Sequence, residues 1–250
     1  MKSFLLMVLL FVFPANVVRF LLIIVRSKNF FIGKKVKIGF SLIYVHSLVL
    51  KEGAHIGHLN IIKVNEFILE GGSIGRMNIF KGCFDVAMLG GSWILNGNRF
   101  TANEEVYQKV KLLLKSNAAI IANHIFDMTD NISIGEGSVV AGVGTQLWTH
   151  SFFVTPNVVT GIRVDAPIVI GDFCYIGSRS VLLSGVDIAD YVTVGAGSCV
   201  SKSLEQKGCY VGQKLRYFPL DVNEKMASLG MPVLHDFIYR KKRSPSGYED

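Results

Sequence analysis

Between Ile170 and Val200 an aliphatic residue stands at every sixth position: Ile170, Ile176, Leu182, Ile188, Val194 and Val200. The residue after each mark is mostly small: Gly171, Gly177, Ala189, Gly195 and Ser201, with Leu183 the exception. An α-helix has no period of six. A half-buried antiparallel strand repeats every two residues and has no reason to favour a small residue at every sixth. Three short strands wound into one triangular coil do have that reason. The aliphatic residue points inward and stacks on its equivalent one coil above, and the small residue sits at the corner, where the backbone turns and a Cβ is costly. The period therefore predicts an all-β chain wound as a parallel β-helix.

The same period runs through Ile38, Tyr44, Leu50, Ile56, Ile62, Ile68, Ile74 and Phe80. Gly39, Gly57 and Gly75 follow every third mark, at a spacing of one full three-sided coil. The pattern blurs over 85–110, where Phe100–Lys109 reads either as a short helical excursion or as a distorted coil. It returns in a new phase at Leu114, Ile120, Phe126 and Ile132, then slips by two residues to Ile134 and Val140. Pro156, Gly161 and Pro167 break it again, so 151–167 is expected to project as a loop; long loops in compact domains are usually functional. These breaks divide the chain into an apolar segment, 1–30, a β-helix domain, 31–218, and a C-terminal helix with a basic tail, 219–250.

The apolar runs Phe4–Phe13 and Val17–Val25 are separated by Pro14, and the second contains Arg19. Neither reaches the ~20 residues that a membrane-spanning helix needs. The favoured expectation is a membrane-surface anchor, with Arg26, Lys28, Lys34, Lys35 and Lys37 beside anionic lipid on the cytoplasmic side. The alternative is a helix packed on the base of the β-helix or on a neighbouring subunit. A mean hydropathy of +0.40 comes mainly from this segment. The net charge of +7 suits an anionic partner: a phosphorylated cofactor, an acidic glycan or a membrane surface. No motif singles out nucleic acid, and no nucleic-acid partner is expected. The four cysteines lack metal-ligand spacing, and Cys174 falls in a small-residue slot as a packing thiol, which suits a cytosolic compartment.

His150 closes the segment Gln146-Leu147-Trp148-Thr149 and opens the projecting loop. A histidine held there by a rigid scaffold can take a proton from a sugar hydroxyl near neutral pH; otherwise it is a surface histidine at a loop edge. Asn123, His124 and Asp127 lie about one coil earlier, so that His124 and His150 could face one cleft. Asp127 would bind a sugar hydroxyl or orient an imidazole, or else Asn123 and Asp127 serve as turn residues. Lys202, Lys207, Lys214 and Arg216 gather near the small run Gly195–Ser198. That is either a cradle for the phosphates of an extended ligand or a solvated rim. His55 and His58 lack a third partner, and no metal site is expected.

Two stretches carry a family resemblance: HIFDMTDNISIGEGSVVAGVGTQLWTH, and APIVIGDFCYIGSRSVLLSGVDIADYVTVGAGSCVSK. Over about residues 30–218 the sequence resembles the hexapeptide-repeat acyltransferases, particularly O-acetyltransferases of bacterial surface polysaccharides. The resemblance implies a left-handed β-helix, a homotrimer with sites between neighbouring β-helices, and acetyl-CoA as co-substrate. It implies His150 as general base, with Asn123, His124, Asp127 and Trp148 toward the acceptor. Tyr175, Ser178, Ala196, Ser201, Lys202 and Arg216 fall toward acetyl-CoA, Tyr175 standing where galactoside acetyltransferases carry a tryptophan. The implied reaction is transfer of acetyl to a hydroxyl of a capsule, O-antigen or exopolysaccharide sugar by an enzyme peripheral on the inner membrane. An N-acetyltransferase of an amino sugar, a zinc-dependent β-helix enzyme and a non-catalytic scaffold are the rival readings.

Overall fold

The structure is a computed structural model. It describes residues 2–24, 28–102, 109–155, 158–212 and 216–218, together with short strands at Val233–His235 and Ile238–Tyr239. Parallel strands wind into a β-solenoid of about 8 turns.

Each turn supplies one residue to each of three interior columns. The first face stacks Ile56, Ile74, Ile94, Ile120, Val140, Ile176 and Val194 in unbroken register. The second stacks Ile43, Ile62, Phe80, Phe100, Phe126, Leu147, Leu182 and Val200. The third stacks Leu50, Leu69, Met88, Leu114, Ile134, Ile170 and Ile188. All of these side chains are buried, so the aliphatic period is the core. Midway along the second face the rings of Phe80, Phe100 and Phe126 stack with centroids 4.5 Å apart at each step. The small corner residue is a steric requirement: a Cβ on Gly57 would collide with the carbonyl oxygen of Gly75 one coil above.

The early register departs from strict sixes. Tyr44 is exposed and Ile68 only half-buried, whereas Ile43, Val45, Phe67 and Leu69 are buried. Strands Leu42–Leu50 and Ile61–Leu69 each run for nine residues through what would be a corner. Alternation every second residue therefore replaces the hexad there. In the blurred region Phe100 is still in register, and 103–108, within the expected excursion, lie outside the described residues. Cys174 packs in its slot, its thiol contacting the carbonyl oxygen of Ala189 at 3.1 Å, and burial pushes its pKa up.

The projecting segment is a two-stranded antiparallel ribbon, His150–Thr155 against Val158–Asp165. At the other end lie two helices, α1 (Lys2–Val12) and α2 (Ala15–Ile24). α1 packs on the strand Leu42–Leu50 and α2 on the strand Phe30–Ile32. Their Leu6, Leu10 and Val18 join the solenoid's hydrophobic core, so the helices cap its first coil. No described helix is long and apolar enough to cross a membrane. Most of the expected C-terminal helix and tail lies outside the described residues; the two short strands named above pair with each other.

Candidate functional site

The corner between the first and second faces is built from polar side chains stacked coil on coil. Asn60 Oδ1 accepts from the backbone N–H of Asn78 at 2.9 Å, and Asn78 Oδ1 accepts from that of Asn98 at 2.9 Å. Asn98 Oδ1 accepts from the N–H of His124 at 3.0 Å, and His124 Nδ1 accepts from the N–H of Thr145 at 3.0 Å. His124 thus takes the next place in an asparagine ladder, with a ring nitrogen doing the work of an amide oxygen. It is fully buried, and desolvation lowers its pKa to about 4. The expected partnership of His124 with His150 across one cleft is corrected here. The rung above His124 is Thr145, because the coil closes after about twenty residues and the next corner claims His150. Asn123 lies on the same corner, exposed, with φ of 54°, and is a turn residue.

The corner between the second and third faces holds His150. Its Nδ1 lies 2.8 Å from Asp127 Oδ2 and 3.4 Å from Thr129 Oγ1. Asp127 is buried, and its carboxylate is filled with donors. Oδ1 accepts from the Thr129 hydroxyl at 2.7 Å. Oδ2 faces the N–H of Thr149 at 2.9 Å and its hydroxyl at 2.7 Å. Thr149 Oγ1 in turn accepts from the N–H of Asp130 at 3.0 Å, tying the corner's two coils together. Asp127 Oδ2 is an acceptor for an Nδ1–H, which leaves Nε2 of His150 as the nitrogen that can take a proton. Of the two roles read for Asp127, the geometry supplies the second, orienting an imidazole.

Residues 148, 150 and 152 share one side of an extended segment. The rings of Trp148 and Phe152 stand edge-on to His150 at 6.0 and 5.6 Å between centroids. Trp148 Nε1 donates to Gln146 Oε1 at 3.0 Å, fixing the indole. Across the ribbon, Asp165 pairs in register with His150 and accepts from Arg163 at 3.0 Å. The imidazole is therefore partly accessible but held by a carboxylate and two rings.

The residues expected toward the cofactor divide between two corners. Ser201 and Lys202 follow Val200 on the His150 corner, two coils above Trp148. Ser178 and Ala196 lie on the corner of Asn123 and Thr145, with Tyr175 on the strand leading to it. Ser178 fits over Gly142, whose φ is 66° and where a Cβ would collide with Ser178 Oγ. Arg216 begins a strand, and its side chain lies outside the described residues. Sequence reasoning missed Thr129, Thr149, Asp130 and Asp165. Small polar residues flanking Asp127 and His150 were the available signal, but which of them turn inward depends on coil length. His58 Nδ1 accepts from the N–H of Phe40 at 3.1 Å, and His55 is exposed.

Residues 167–202 match the family model described as bacterial transferase hexapeptide (six repeats). A curated relative, UDP-3-O-acylglucosamine N-acyltransferase of Herminiimonas arsenicoxydans, is 25% identical over 214 residues, 85% of this chain and 54% of the relative. The chain thus spans about half the length of the curated relative it matches. Among solved structures, a hexapeptide-repeat acetyltransferase from Vibrio cholerae complexed with acetyl-CoA has 21% identity and a TM-score of 0.40, covering 48% of this chain and 63% of that one. A polysialic acid O-acetyltransferase has 13% identity and a TM-score of 0.40, covering 75% and 87%.

Proposed function

We propose that this protein is an acyltransferase of hexapeptide-repeat type that moves acetyl from acetyl-CoA to a hydroxyl of a bacterial surface-polysaccharide sugar. The carrying observation is the imidazole of His150, held at 2.8 Å by a buried, fully hydrogen-bonded Asp127 on a rigid corner. Asp127 accepts the Nδ1 proton, and Nε2 removes the proton of the acceptor hydroxyl. The hydroxyl oxygen adds to the thioester carbonyl carbon to give a tetrahedral oxyanion, whose collapse breaks the C–S bond as the Nε2 proton passes to the departing sulfur. Backbone N–H groups near Ser178 would stabilise the oxyanion.

The split of the cofactor residues between two corners favours a homotrimer. In one chain the second face separates the His150 corner from the Ser178 and Ala196 corner. Against a neighbouring copy the two corners would face each other and enclose the pantetheine arm. Lys202 and Arg216 would then meet its phosphates. Acylation of an amino group is the second reading, favoured by the activity in the curated relative's name.

Calorimetric titration of acetyl-CoA into the purified protein tests the proposal. Micromolar binding, weakened by Lys202→Ala, is the expected result, and a folded protein that binds no acetyl-CoA would overturn it. Alkaline hydroxylamine removes an O-acetyl product and leaves an N-acetyl one, which separates the two readings.

A further inference from the structure

The two helices spend only part of their surface on the solenoid. Leu6, Leu10, Ala15 and Val18 are buried, while Phe4, Leu5, Val12, Phe20, Ile23 and Ile24 are each 59–62% exposed. Phe31 and Phe40 of the first coil extend the same apolar end. Contiguous apolar surface of this kind marks a site of association.

The segment itself carries charge of one sign, and of its lysines Lys35 pairs with Glu52 of the following coil at 3.5 Å. The first 51 residues contain eight Lys and Arg and no Asp or Glu; the first acid is Glu52. Lys28, Lys34, Lys35 and Lys37 are exposed beside the helices or on the first coil. A groove of about 310 Å³ runs between α2 and the first strand, lined by Arg19, Leu22, Ile23 and Lys34 among others. The Nε of Arg19 is buried and, among the described residues, has no hydrogen-bond partner.

We propose that this end of the solenoid docks on an anionic lipid bilayer. The outer sides of α1 and α2 enter the boundary between headgroups and acyl chains, the lysines meet headgroup phosphates, and the Arg19–Lys34 groove receives one of them. At 11 and 10 residues the helices are roughly 16 Å long, about half the hydrocarbon thickness, so they lie on the bilayer and do not cross it. A second copy of the same end is the poorer occupant, since it would bring like charges together. Docked this way, the solenoid stands off the bilayer. His150 follows the sixth rung of the second face, roughly 24 Å from the first at ~4.8 Å per rung. An acceptor glycan on a lipid carrier would be met at that height, a consequence that rests on the acetyl-transfer reading; the docking does not.

The test is vesicle flotation of the full chain, purified in detergent and then freed of it. The two vesicle types are phosphatidylcholine alone and phosphatidylcholine with phosphatidylglycerol at roughly two to one. Strong recovery with the anionic vesicles, falling as salt is raised, is expected. Phe20→Glu/Ile24→Glu should reduce it about tenfold or more without lowering the melting temperature, because both side chains are already exposed. Lys34→Glu/Lys35→Glu should reduce recovery on anionic vesicles alone. No flotation, equal flotation on neutral vesicles, or unchanged flotation of Phe20→Glu/Ile24→Glu would overturn the proposal. So would a vesicle-free oligomer that this variant dissolves while the parent fails to float. Acetyl-CoA binding measured on the same samples stays unchanged if only the docking idea fails.

Discussion

Two histidines one coil apart show how one backbone makes opposite uses of one side chain. His124 occupies the corner of the asparagine ladder, sealed from solvent, with Nδ1 accepting a backbone N–H. His150 occupies the next corner, partly open, with Nδ1 against a carboxylate. The first ring has its acceptor nitrogen committed to the fold, and burial holds it neutral. The second has its donor nitrogen committed, so its acceptor nitrogen remains for chemistry. What separates them is which side of the corner each faces and what stands one coil away: Asn98 and Thr145 for one, Asp127 for the other.

The contrast is sharpest under substitution. His150→Gln should cut the rate of acetyl transfer by about 10²–10⁴-fold, the usual contribution of a positioned general base. It should leave acetyl-CoA binding unchanged; retention of the full rate would break the assignment. Asp127→Asn comes next, with a loss of about tenfold or more, because an amide can donate to Nδ1 and fix the wrong tautomer. The loss should fall on kcat with little change in KM. Thr149→Val removes a hydroxyl that bridges Asp127 and the N–H of Asp130, and should cost about 1–3 kcal/mol in chemical unfolding with a smaller loss of rate.

His124→Asn should have the smallest effect on transfer, since asparagine continues the ladder with an amide oxygen where the imidazole nitrogen stood. Its effect belongs to stability against pH. The folded-state pKa of His124 is depressed to about 4 from an unfolded value of 6.5. The folded state therefore binds fewer protons than the unfolded one between those values. The contribution of the neutral ring is intact above pH 6.5 and is lost as pH falls toward about 4, by up to ~3 kcal/mol. Thermal melting at pH 7 and pH 4.5 should show a smaller acid destabilisation in His124→Asn than in the parent. An equal one would mean that other groups govern the acid limb.

The N-terminal end repeats the lesson on a larger scale. Anchor and base-packed helix stood as alternatives in the sequence, and the structure gives one helical pair two sides. Leu6, Leu10 and Val18 close the core, while Phe20 and Ile24 face outward. Helical periodicity over so short and uniformly apolar a run does not distinguish the sides, because nearly every residue qualifies for either.

The hexad itself determined the solenoid. Interior columns need an inward aliphatic at each face and a small residue at each corner, and both are local requirements visible in one dimension. The same pattern located His150 at the start of an interruption, as well as the small residues at 195–198. The pairing of Asp127 with His150 was not visible, because coil length varies. The first-face marks Ile56 and Ile74 are eighteen residues apart, while Val140 and Ile176 are thirty-six apart across the ribbon. A residue's neighbour one coil above therefore cannot be counted along the chain. The spacing of the two histidines suggested a partner for His150 that lies in a different corner. Only the winding of the backbone decided which imidazole is buried as a rung and which is held by a carboxylate at the surface. Burial and hydrogen-bond partners come from neighbouring coils, and the sequence period is silent about them wherever it is interrupted.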